Sequence, residues 1–139
     1  MGVEVNYVAV LLAALSSMVV GSIWYARPVF GNLWIKLAKV NMDRKVVSAW
    51  LPLVVTAVVS LATAYVLAHV VCLSHRFFGN SFLQDSLSTA FWLWLGFTAA
   101  RIITHDGFEG RPWKLTVLTV SHELVTLLLM GLIIGLMGV

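Results

Sequence analysis

His122 and Glu123 stand side by side in an otherwise apolar run near the C-terminus of this 139-residue chain. An imidazole beside a carboxylate can pass protons, hold an ion or stabilise a buried opposite charge. Upstream, His105, Asp106 and Glu109 add a second histidine and two more carboxylates, with Arg101 one turn earlier. Imidazole and carboxylate are ordinary ligands for zinc, iron and manganese, so the two histidines and three carboxylates also form a candidate metal set. The spacing argues against it. Neither His105, Asp106, Glu109 nor the His122–Glu123 dipeptide is a recognised metal motif, and adjacent residues of a helix point about 100° apart. No cofactor is expected, and the sequence names no metal. A soluble-type active site finds no support: there is no Gly-rich phosphate loop, nucleophile elbow, paired cysteines or His-Glu-x-x-His.

The elements that carry these residues are set by the bilayer. The chain is 60% hydrophobic and 11% charged, with a mean hydropathy of +0.95, whereas soluble domains carry roughly 25% charged residues. Four stretches, 6–25, 49–71, 85–104 and 115–138, have the roughly 20 mainly apolar residues that a hydrocarbon core of about 30 Å requires. The sequence predicts an all-α fold, a single transmembrane domain over 1–139 built as a four-helix transmembrane bundle. The first stretch has Glu4 before it and no Lys or Arg, and its apolar run is long for a signal peptide, so it is expected to stay uncleaved. The chain is expected to end with the fourth span, without a tail or lipidation motif. Cys72 is the sole cysteine, which excludes an internal disulfide.

Between the first two spans, Phe30, Leu33, Trp34, Leu37 and Ala38 recur at helical spacing, with Lys36 and Lys39 off that face. This pattern predicts a short interfacial helix, with Pro28 ending the first span and Gly31 in the turn. Of nine Lys and Arg residues, Arg27, Lys36, Lys39, Arg44, Lys45, Arg101, Arg111 and Lys114 fall at the first and third connections, and Arg76 alone at the second. The positive-inside rule then predicts a multi-pass protein of the cell's inner (plasma) membrane. Loops 26–48 and 105–114 face the cytoplasm and both termini face outward. Basic residues that flank spans are topology signals, so no nucleic-acid partner is expected.

In lipid, close helix packing rests on small residues. Ala13, Ser17 and Gly21 form such a row in the first span, Ser60, Ala64 and Ala68 in the second, Gly96 and Ala100 in the third, and Gly131 and Gly135 in the fourth. These rows serve either packing inside one bundle or a seam between copies. The expected partners are the lipid bilayer and a second copy or another membrane protein. On a helical wheel Thr116, Thr119, His122, Glu123 and Thr126 share about a third of the fourth span's circumference. Glu123, roughly 10 Å inside the bilayer edge, needs a proton or a cation there. Arg101 is the best-placed partner by depth and Arg27 the second, with Trp24 and Tyr25 beside Arg27 as secondary candidates. Trp24, Trp34, Trp50 and Trp113 suit the interface, while Trp92 and Trp94 lie deeper, as space fillers or a stacking surface.

The run Gly21-Ser-Ile-Trp24-Tyr25-Ala-Arg27-Pro28-Val-Phe30-Gly31-Asn-Leu-Trp34 resembles the opening signature of a bacterial integral membrane family, domain of unknown function 1761. His105-Asp106-Gly-Phe108-Glu109-Gly110-Arg111-Pro112-Trp113, followed by His122, resembles that family's last loop and span. The resemblance implies a small four-span membrane protein of uncharacterised activity, with no catalytic residues to transfer. Three readings of function follow. The first is a structural, accessory or homo-oligomeric protein acting through its small-residue faces, and the second a proton-linked or small-solute channel or transporter using Glu123, His122 and Arg101. The third is a membrane metalloenzyme.

Overall fold

The computed structural model describes residues 3–40 and 50–138. The expected start of the second span at residue 49, and Arg44 and Lys45 of the basic connection, lie outside the described residues.

Five helices form. Asn6 starts α1, Tyr7–Trp24, by accepting the Val8 and Ala9 amides at 3.1 Å each, two of the donors a helix start leaves unpaired. A π-helical turn, Arg27–Gly31, follows, closed by the Gly31 amide on the Ala26 carbonyl at 2.9 Å. A Cβ on Gly31 would strike the Tyr25 carbonyl oxygen and lie 2.9 Å from that of Ala26, so this turn needs glycine. It launches the expected short helix, α2, Asn32–Ala38.

Three long helices complete the chain: α3, Trp50–Phe78, α4, Phe82–Glu109, and α5, Trp113–Met137. With α1 they are, among the described residues, the four helices long and apolar enough to cross a membrane. Both α3 and α4 outrun the apolar stretches 49–71 and 85–104, because a helix ends where its backbone can turn. Gly79 (φ 68°) and Gly110 (φ 66°) supply the left-handed residue that stops each one. The expected loop 105–114 accordingly shrinks to Gly110, Arg111 and Pro112. Among the described residues there is no strand.

The spans form a ring in the order α1, α3, α4, α5, each antiparallel to its neighbours, and α3 and α5 barely meet across it. The ring is uneven along its length. At the end holding Val5 and the α3–α4 turn, a hydrophobic core that includes Val10, Ala13, Ala64, Leu67, Ala90 and Met130 fills the centre. There α4 and α5 are drawn together by glycine: a Cβ on Gly131 would sit 2.9 Å from the Ala90 Cβ, and one on Gly135 2.9 Å from Leu83. The Ser86 hydroxyl, fully buried, donates to the Gly131 carbonyl across the same seam. The glycines expected to serve packing or a dimer seam thus meet α4 of their own chain.

At the other end, which carries Arg27, Lys36, Arg101, Arg111 and Lys114 and is here termed the basic end, the ring opens. Within α4, residues Trp94–Ala99 form a π-helical turn, with the Ala100 amide reaching back five residues to Leu95. Such turns shift the helix register and recur at functional sites. Beyond Leu93, α4 leans on α5 alone, held by the Trp94 indole donating to the Val120 carbonyl at 3.0 Å. Among the described residues no Cα of α3 comes within 8 Å of Trp94–Glu109. The facing stretch of α3, Trp50–Val59, is exposed at every one of its positions.

Candidate functional site

The gap between α3 and the second half of α4 leads into a cleft of about 620 Å³, the size of an ordinary small-molecule site. The wall from α1 is Ser17, Met18, Gly21 and Tyr25, and that from α3 is Leu53, Thr56, Val59, Ser60 and Thr63. Thr98 projects from the π turn of α4, and His122, Glu123, Thr126 and Met130 from α5. The small row of α1 explains the space: Ser17 Oγ lies 2.7 Å from Ser60 Oγ, bringing α1 and α3 together at the cleft floor. Gly21 leaves room for an imidazole, since a Cβ there would lie 3.7 Å from His122 Nε2.

His122 is clasped by the end of α1. The rings of Trp24 and Tyr25 stand 5.9 Å and 5.1 Å from its own, Phe30 of the π turn packs at 4.7 Å on Trp24, and Trp34 of α2 at 5.6 Å on Tyr25. The π turn and α2 thereby fix the imidazole's surroundings. Its Nδ1 lies 3.2 Å from Glu123 Oε1, so the neutral ring that hydrogen-bonds to the carboxylate presents Nε2 as an acceptor. Among the described residues that nitrogen, the Trp24 indole N–H and the Thr126 hydroxyl are buried without a hydrogen-bond partner. Buried polar groups are rarely left so, and of these three residues His122 and Thr126 belong to the cleft's lining while Trp24 packs on the His122 ring.

The chain matches the model of the family described as "Protein of unknown function (DUF1761)" over residues 8–135. It belongs to the DUF1761 family. No curated protein and no solved structure matches it.

In this DUF1761 protein the other expected site residues do not join the cleft. Arg101 is exposed and, among the described residues, neither it nor Arg27 forms an ion pair with Glu123. This corrects the pairing expected from depth. Ala99, Ile102 and Asp106 mark the covered side of α4, and Arg101 is displaced from Ile102 by about 100°. Asp106 turns to α5 instead, accepting the Thr116 hydroxyl at 2.7 Å, with Arg111 Nε 3.7 Å away. Glu109 pairs with Arg111 at 2.7 Å in the open, and His105 is exposed. The expected convergence of two histidines and three carboxylates is therefore split into a cleft pair and a helix-joining set. Among the described residues no three His, Cys, Asp or Glu side chains gather in a way that could hold a metal ion. Gly96 faces open space.

One polar cluster was missed from the sequence. Asp85, 3% exposed, receives Asn80 Nδ2 at 2.9 Å and lies 2.9 Å from His75 Nδ1, tying the α3–α4 turn. The signal was present: Ser81 caps α4 through the Gln84 amide, which places Asp85 in the first turn where the helix dipole favours an anion.

Proposed function

We propose that this DUF1761 protein is a small-solute carrier that binds its solute in the cleft beside His122 and Glu123. The observation that carries the reading is the cleft itself, a largely apolar space among the helices into which Glu123 and the hydroxyls of Ser17, Thr56, Ser60 and Thr63 are set. Ionisable residues within spans that face such a space are functional candidates by default, because each costs several kcal/mol there unless it is paired, hydrated or able to snorkel. The positive-inside rule, with eight of nine Lys and Arg residues at the first and third connections, supports a cytoplasmic face for that end and an outward one for both termini.

The test is uptake of a panel of labelled small solutes into proteoliposomes. Wild type is expected to give saturable flux for at least one solute. Glu123→Gln and Ser60→Phe, which fills the cleft, abolish that flux while both variants elute as wild type does. Flux no greater than in protein-free vesicles, or indifferent to both substitutions, overturns the reading.

A second reading, homo-oligomerisation, is favoured by one stretch. Trp50–Val59 is exposed around its whole circumference, where a span inside a monomeric bundle covers at least one face. A second copy's helix would cover it. Disulfide trapping of single cysteines at Val54 or Val58 within lipid is the check, and a monomer at all oxidant levels counts against it.

A further inference from the structure

Among the described residues the cleft's lining holds the Glu123 carboxylate and the His122 imidazole and no Lys or Arg. Glu123 contributes the acid, and neither Arg27 nor Arg101 reaches the lining. Tyr25, whose ring packs at a tilt 5.1 Å from that of His122, lines the cleft beside it, and much of the remaining wall is apolar, Met18, Leu53, Val59, Leu127 and Met130 among it. A second space, about 470 Å³, adjoins the first between α3 and α4 and is bordered by Val66, Leu93 and Phe97. The two share Thr63, Thr98 and Leu127. The outer space is nearly wholly apolar, and Phe97 at its rim is 76% exposed. A solute taking this route crosses an apolar porch at mid-span depth before it meets Glu123.

We infer that the solute is a lipophilic organic cation, a quaternary or protonated amine or its phosphonium equivalent, admitted sideways from the bilayer between α3 and α4 and held by Glu123. The inference rests on the carrier reading and names its substrate class. A carboxylate in a low-dielectric site with an imidazole but, among the described residues, no Lys or Arg beside it is costly to charge, and a bound cation relieves that cost where a neutral solute would not. An anion of the same size meets repulsion from the same group, which supplies discrimination as well as affinity. Tyr25 in the lining supplies an aromatic ring that attracts a diffuse positive charge, and the apolar walls accept its hydrocarbon body. His122, whose Nδ1 is 3.2 Å from Glu123 Oε1, is a positioning residue that holds the carboxylate toward the cleft.

Charge can be isolated with two probes of matching shape, tetraphenylphosphonium and tetraphenylborate, measured by equilibrium binding to the full chain in nanodiscs with empty discs subtracted. Wild type is expected to bind the phosphonium at one site per chain and at least tenfold more tightly than the borate. Glu123→Gln is expected to erase that preference and Glu123→Asp to keep most of it. Equal binding of the two probes by wild type, or a preference that survives in Glu123→Gln, overturns the cation assignment and leaves the solute-binding cleft standing. Binding of neither probe overturns the cation assignment, and the carrier reading then stands or falls on the flux measurement. If Glu123→Gln fails to fold, competition on wild type decides the matter. Tetraalkylammonium ions of rising chain length should displace the phosphonium, and failure to do so overturns the proposal.

Discussion

The two ends of the bundle each hold a histidine next to a carboxylate, and the two pairs live differently. His75 and Asp85 sit across a tight turn where Asn80 takes the second carboxylate oxygen and Phe82 packs 5.1 Å from the imidazole. Behind them the ring is closed by Gly131 and Gly135 on Leu83, Ser86 and Ala90. His122 and Glu123 sit where the ring is splayed, with three buried polar atoms nearby that nothing in the described chain satisfies. A pair whose surroundings are complete holds a turn together. One whose surroundings are incomplete beside an accessible space is poised for something else to complete them.

Glycine gives the largest contrast between the ends. A methyl at Gly131 would lie 2.9 Å from a Cβ and 3.2 Å from the backbone oxygen of Ser86, neither of which can swing away. Gly131→Ala is therefore expected to destabilise by about 1–3 kcal/mol, as overpacking does. Gly21 has only an ordinary contact at 3.7 Å, so Gly21→Ala should be neutral or stabilise by up to about 1 kcal/mol, the helix propensity gained. Reversible unfolding in mixed micelles measures both, and equal losses would remove the distinction between a closed seam and an open cleft.

Hydroxyls sharpen the same contrast with a smaller effect. Ser86→Ala deletes a satisfied bond to the Gly131 carbonyl and should cost about 0.5–1.5 kcal/mol. Thr126→Val deletes a buried hydroxyl without a partner and should leave stability unchanged or raise it by about 1 kcal/mol. A loss on Thr126→Val as large as on Ser86→Ala would mean that Thr126 is satisfied within the protein.

Much of this was legible in the residues. Apolar length alone located four spans, and Phe30, Leu33, Trp34, Leu37 and Ala38 announced α2 by their period. The wheel of the fourth span grouped His122, Glu123 and Thr126, which do line one wall of the cleft. Thr116, grouped with them, lies at the start of α5 and bonds Asp106 instead. The Arg101 partnership was misread because depth is visible in a sequence, whereas the facing of a helix is set by its neighbours. The π turn at Trp94–Ala99 was invisible: a change in hydrogen-bond register needs no particular residue type. With it went any sign that α4 parts from α3 and opens the cleft. Trp94, a candidate stacking surface, instead hydrogen-bonds α5 beside that turn.

Accessibility of the cleft to a polar reagent tests the central claim most directly. In a Cys72→Ala background, single cysteines at Thr63 and Thr98 in the cleft wall and at Ser86 and Ala90 in the closed seam would be titrated in nanodiscs with a small charged methanethiosulfonate. An open cleft predicts reaction at Thr63 and Thr98 at least a hundredfold faster than at Ser86 and Ala90, with tetraphenylphosphonium protecting the first pair. Four equally unreactive positions would contradict it and leave a uniformly packed bundle with no site beside Glu123.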